Sequence, residues 1–170
     1  VWAVGDAGQV LHWHPQDGWD VQQVADATLR GVAAIHEDDV WAVGDGGTVM
    51  HFDGTAWTPV DVPASEDLQA IVFTPRLAGW IVGSSGVILH RDGPDAPWSR
   101  VASGTTRTLR GVFASEEQRA HAVGDGGTIL DWDGTRWTAT TGLTSADLRA
   151  AGAFPGAGIF AVGDGGIVLE

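Results

Sequence analysis

The segment Val-Trp-Ala-Val-Gly-Asp opens the chain at Val1, returns complete at Val40, and comes back altered at Gly79, Ala120 and Ile159. Its glycines stand at Gly5, Gly44, Gly83, Gly124 and Gly163, in steps of 39, 39, 41 and 39 residues. A period near 40 built from strand-and-turn signals marks units that bury an apolar face only by stacking on one another.

One unit reads as four strands. Leu68–Phe73 is an apolar run, strand A, and Trp80–Gly83 is strand B. Ser84-Ser85-Gly86 makes a tight turn into strand C, Val87–Arg91. Asp92-Gly93 opens a further turn, and Trp98–Val101 is strand D. Asp-Gly between apolar runs signals a hairpin, and helical periodicity never lasts through a repeat. The 41-residue step arises in the C–D turn, where Gly93–Trp98 is two residues longer than Gly54–Trp57. Length varies where pairing is absent and is constant where register matters. The expectation is an all-β protein, a β-propeller of four-stranded antiparallel blades. It forms one domain over 1–170, with a partial blade over 1–28, blades over 29–67, 68–108 and 109–147, and a partial blade over 148–170.

Aromatic residues sort by strand. Trp2, Trp41 and Trp80 share a place in strand B that His121 and Phe160 fill later. Trp19, Trp57, Trp98 and Trp137 open strand D, and Trp13 and Trp132 share a strand C place with Phe52. One indole per blade suits a wedge between neighbouring sheets, and this structural role is expected for Trp2, Trp41, Trp80, Trp57, Trp98 and Trp137. Stacking on a sugar is the competing reading.

Composition narrows the function. The net charge is −13 and every Lys/Arg position is Arg, so a nucleic-acid backbone is a poor partner. Solubility accounts for the acidity, with a halophilic origin or a cationic partner as alternatives. The absence of Cys removes disulfides and thiolate chemistry, and no apolar run is long enough to span a membrane.

The tandem pattern Trp-Ala-Val-Gly-Asp-Gly-Gly-Thr, Asp-Gly-Thr-x-Trp-Thr and Leu-Arg-Gly-Val, over essentially the whole chain, resembles the Asp-box-like (BNR-type) propeller repeats of bacteria. Such repeats occur in extracellular and lipoprotein-type proteins and in photosystem II assembly factors. Phe52–Trp57 and Trp132–Trp137 keep part of the stricter Asp-box. The resemblance implies an extracytoplasmic or secreted protein. It also implies that the B–C turns and D–A connections share one face of the ring, with the C–D turns on the other.

On that first face the B–C turns bring Asp6, Asp45, Asp125 and Asp164, with Ser84 in the third copy. Strand A opens with Leu-Arg at Arg30, Arg110 and Arg149, and with Gln69 in the remaining copy. Arg–Asp pairing within or between blades is one reading, since the guanidinium fork matches a carboxylate. Reception of an acidic group of a partner is the other. No Lys and no helix follow Gly-Asp-Gly-Gly, so it is not a phosphate loop.

Other constellations are weaker. His12, His51, His90, Asp131 and Glu170 occupy one strand C position, but equivalent places on adjacent blades are about 10–15 Å apart at strand spacings, too far for one ion. They are expected to pair across strands or face solvent. Asp131-Trp132-Asp133-Gly134 lacks the later ligands of a calcium loop, and His36 lies in an acidic turn. No metal and no cofactor are expected. No carboxylate, His or Ser stands apart from the repeat as a reaction centre would, and the Tyr of sialidase chemistry is absent.

The strands number four A, five B, five C and four D, which leaves an unpaired edge and an apolar face at each end. The ring is therefore expected to be incomplete or excised from a longer one, closed by further blades or by another chain. The function expected is a non-enzymatic binding or scaffold propeller that presents its Asp/Arg face to a protein or other macromolecule. A glycan-binding lectin and a fragment of a propeller hydrolase are the alternatives.

Overall fold

The computed structural model describes residues 1–116, 119–153 and 158–170. Its described residues form five antiparallel sheets. The first holds β1 (Trp2–Val4), β2 (Gln9–His14) and β3 (Gly18–Gln23). The second holds β4 (Leu29–His36), β5 (Asp39–Gly44), β6 (Val49–Phe52) and β7 (Trp57–Pro59). The third holds β8 (Leu68–Phe73), β9 (Gly79–Gly83), β10 (Ile88–Arg91) and β11 (Ser99–Arg100). The fourth holds β12 (Leu109–Glu116), β13 (Arg119–Gly124), β14 (Thr128–Trp132) and β15 (Trp137–Thr140). The last holds β16 (Leu148–Ala153), β17 (Ile159–Gly163) and β18 (Val168–Leu169). This is the up-and-down blade of a β-propeller, with the outer sheets lacking strand A and strand D respectively. The third blade differs slightly from expectation: its C and D strands begin one residue late, at Ile88 and Ser99.

The A strands β4, β8, β12 and β16 run side by side. They approach closely enough that a Cβ on Gly31 would stand 3.1 Å from the Ala70 Cα. The core lies between sheets, not within one. Trp80 of β9 is fully buried and meets Trp132 and Trp137 of the next blade edge-on, each with ring centroids 5.1 Å away. Trp41 meets Trp98 and Phe73, and Trp2 meets Phe52 and Trp57, in the same blade-to-next-blade sense. The strand B indole is thus the wedge that ties each of the first three units to its successor, and His121 takes that place in the fourth. At the two ends this packing has no counterpart: Trp13, Trp19 and Val21 of the first sheet and Val162 and Val168 of the last are exposed.

The repeat glycine has a physical cause. Gly44, Gly83, Gly124 and Gly163 have extended backbones open to any residue. A Cβ on Gly83, however, would overlap the Asp67 carbonyl oxygen and stand 3.0 Å from the Leu68 Cα, and the other three meet the same obstacle. The residue ahead of strand A crosses there. The third glycine of the turn, as at Gly47 and Gly127, needs both its positive φ and the room beneath the incoming D–A connection.

Candidate binding face

Register places the turn residues together. Leu29 pairs with Gly44, Leu68 with Gly83, Leu109 with Gly124 and Leu148 with Gly163. A bulge follows each of these leucines, so Arg30, Gln69, Arg110 and Arg149 are the extra residues, unpaired in the ladder. A bulge re-aims the side chain it carries. Each arginine meets the aspartate that follows the paired glycine in its own blade.

Three such forks form. Arg30 donates through Nε to Asp45 Oδ1 and through Nη2 to Oδ2 at 3.0 Å. Arg110 repeats this on Asp125, with Nη2 3.1 Å from Oδ2. Arg149 holds Asp164 at 2.8 and 2.6 Å. The hydrogen bond from Asp45 raises the Arg30 pKa, and that from Asp164 raises that of Arg149. Asp164 is correspondingly lowered by Arg149. In the third blade Gln69 and Ser84 replace both members at once, so neither charge is left alone. Asp6 has no arginine of its own sheet and accepts a long 3.5 Å bond from the Thr28 hydroxyl.

Two further carboxylates tie blades together on this face. Asp67 accepts from the Gly46 amide at 2.9 Å and Asp147 from the Gly126 amide at 2.8 Å, each reaching back to the turn of the preceding blade. Sequence reasoning passed over them. The signal was Asp-Leu at the start of strand A, where the other copies have Thr28 and Thr108.

The strand C row is occupied locally. His12, His51 and His90 stack on Trp2, Trp41 and Trp80 of the paired strand at 3.7, 4.2 and 3.8 Å. His51 Nε2 and the Trp41 indole both reach Asp39 Oδ1, and His121 Nδ1 lies 2.7 Å from Asp131 Oδ1. Burial lowers the His12 pKa, helped by His14. His36 lies on the surface, 3.9 Å from Asp38. Among the described residues no group of three or more His, Asp or Glu side chains gathers as metal ligands. Asp133 is committed to its own turn, accepting from the Thr135 amide and hydroxyl and the Arg136 amide, and Asp53 does the same in Phe52–Trp57. These bonds, led by the threonine hydroxyl, hold both carboxyls at about 2.

Arg91 was also missed. It takes the strand C place that Trp13, Phe52 and Trp132 hold elsewhere, is 5% exposed, and lies over Trp41, Phe73 and Trp98 at 4.4, 4.9 and 5.4 Å. Desolvation lowers its pKa, and its Nε has no partner.

No family model matches the chain, and no curated protein matches it. Solved propellers do. The structure described as YCF48 bound to D1 peptide is 21% identical, with 95% of this chain and 53% of that one covered and a TM-score of 0.66. YCF48 from Cyanidioschyzon merolae is 15% identical, with 98% and 64% covered and a TM-score of 0.77. The WD40 repeats of RRP9 are 10% identical, with 95% and 55% covered and a TM-score of 0.78. The chain spans between about half and two thirds of these structures. The likeness shows the fold.

Proposed function

We propose that this chain is a non-enzymatic binding propeller whose B–C turn face receives a protein or peptide partner bearing acidic groups. The observation that carries this reading is the triplicate fork. Arg30, Arg110 and Arg149 are held at one height by bulge and aspartate, yet their side chains keep 39%, 30% and 46% of their exposure. Each fork commits two of the five guanidinium N–H groups, so donors are left for a second acceptor. Asp45, Asp125 and Asp164 set the arginines, and Asp6, bonded to the Thr28 hydroxyl, adds a further acceptor. A ready-made arrangement of this kind binds with less ordering cost than free side chains would. The solved propeller described as bound to a peptide supports the same class of partner. The reading includes completion of the ring by further blades or another chain, supported by the exposed apolar end faces. The lectin alternative would have to use Trp13 and Trp19, which are exposed, since Trp41 and Trp80 are buried.

The test is a peptide array of acidic sequences and their Asn/Gln counterparts, probed with wild type and with Arg30→Gln/Arg110→Gln. Acid-selective capture by wild type, weakened in a variant whose unfolding midpoint is little changed, is the expected result. Equal capture by both proteins, or a variant that no longer folds, would show the forks to be purely structural.

A further inference from the structure

The third blade breaks the pattern of the face at several points, and the breaks coincide. Ser84 stands where Asp45, Asp125 and Asp164 stand, and Gln69 where the arginines stand. Thr108 occupies the place of Asp67 and Asp147, so the Ser85 amide has no carboxylate of the kind that caps Gly46 and Gly126. Ser85 itself holds a left-handed φ of 55°, as Ala7 does in the first turn, where the same place in the other three turns is glycine. A serine accepts backbone strain there that a glycine avoids, and such strain gathers at functional positions.

Beside this turn lies a notch of about 760 Å³ whose lining includes Ser85, Arg100, Ser103, Thr105, Thr106 and Arg107. Several of its polar groups are already committed. Arg100 is bound to Glu66, with Nη2–Oε1 at 2.5 Å, and the Ser103 hydroxyl donates to the Thr105 carbonyl. The Thr105 hydroxyl accepts from the Arg107 amide. The Arg107 guanidinium is different. It lies over the turn of the fourth blade, where a Cβ on Gly126 would overlap it, and among the described residues it has no carboxylate within ion-pair distance. The Ser85 and Thr106 hydroxyls likewise have no protein partner among the described residues. Elsewhere on the face, Arg30, Arg110 and Arg149 are all committed to aspartates.

We infer that this notch, between the third and fourth blades, is a site for one oxyanion, carboxylate or phosphate, with Arg107 as its cation and Ser85 and Thr106 as hydroxyl donors. The inference rests on the binding-face reading for its biological use, where the anion is an acidic group of the docked partner. The chemistry is direct. A planar guanidinium suits either oxyanion, the third-blade turn itself carries no carboxylate, and the nearest ones, Glu66 and Asp125, are already paired with Arg100 and Arg110. The site differs from the forks in kind: its cation is held in reserve.

The experiment is a heteronuclear NMR titration of the whole chain with sodium acetate and, separately, inorganic phosphate at fixed ionic strength. The expected result is saturable shifts of the Ser85 and Thr106 amides and the Arg107 Nε–H. The affinity read from the Ser85 and Thr106 amides should fall roughly tenfold in Arg107→Gln, as loss of a charge-assisted bond implies, and be unchanged in Arg136→Gln on the opposite face. Saturation by acetate alone assigns a carboxylate ligand, and by phosphate alone a phosphate. Absence of shifts with both anions, or equal shifts in Arg107→Gln, overturns the site. If that happens while acidic peptides are still captured through Arg30 and Arg110, the notch fails and the binding face stands. Acetate binding without peptide capture retains the notch and removes the binding face.

Discussion

Alanine at Gly83 and alanine at Gly93 should have opposite effects, although both glycines lie in the third blade and neither has a left-handed backbone. At Gly93 nothing lies within 4 Å of an added Cβ. The substitution there narrows the unfolded ensemble and should be neutral or stabilising by about 0.4–1 kcal/mol. At Gly83 the same methyl meets the Asp67 carbonyl oxygen and stands 3.0 Å from both the Leu68 Cα and the Val87 Cγ1. Backbone cannot rotate away as a side-chain tip can, so overpacking of about 1–3 kcal/mol applies. The crossing strand would also be pushed off the 2.8 Å bond from the Ser84 amide to the Asp67 carbonyl, a further loss of about 1 kcal/mol. Less the unfolded-state gain, Gly83→Ala should cost about 1–4 kcal/mol. Urea unfolding followed by tryptophan fluorescence reads both variants. Equal midpoints for the two would refute the reasoning, because the difference rests wholly on the strand A backbone that crosses one glycine and leaves the other open.

Two other outcomes follow from particular side chains. Arg91→Phe places an aromatic where the other blades have one and removes a buried guanidinium with an unpartnered Nε; it should hold or raise the unfolding midpoint, whereas Arg91→Ala should lower it. Glu66 is held at about 2 by its bond from Arg100, below its ordinary 4.5. Its contribution is therefore present above about pH 4.5 and lost as pH falls toward 2, and Arg100→Gln should flatten the acid limb of the stability profile. With Arg100 half exposed, the change should be under about 1 kcal/mol.

The fold was legible because its signals are repetitive. Glycine spacing gave the unit, the variable C–D turn gave the register, and the strand B tryptophans marked the wedge. Local chemistry was legible where it repeats, as at Arg30, Arg110 and Arg149. What escaped was chemistry at departures from the repeat. Arg91 reads as an ordinary polar residue until Trp41, Phe73 and Trp98 close around it, because two of those rings come from strands distant in sequence. Arg107 and Thr108 look like loop punctuation until the fourth blade's turn is seen beneath the guanidinium. Asp67 and Asp147 act on the preceding blade, so no reading confined to one repeat could find their partners. The Arg–Asp geometry also depended on a bulge, which hydrophobic patterning does not show.

Indoles couple one blade to the next, and a double-mutant cycle on Trp80 and Trp137 measures that coupling. Each alanine variant should lose about 3–5 kcal/mol, and the pair should show an interaction of about 0.5–1.5 kcal/mol beyond additivity. Losses that simply add, or a Trp80→Ala chain as stable as wild type, would contradict it.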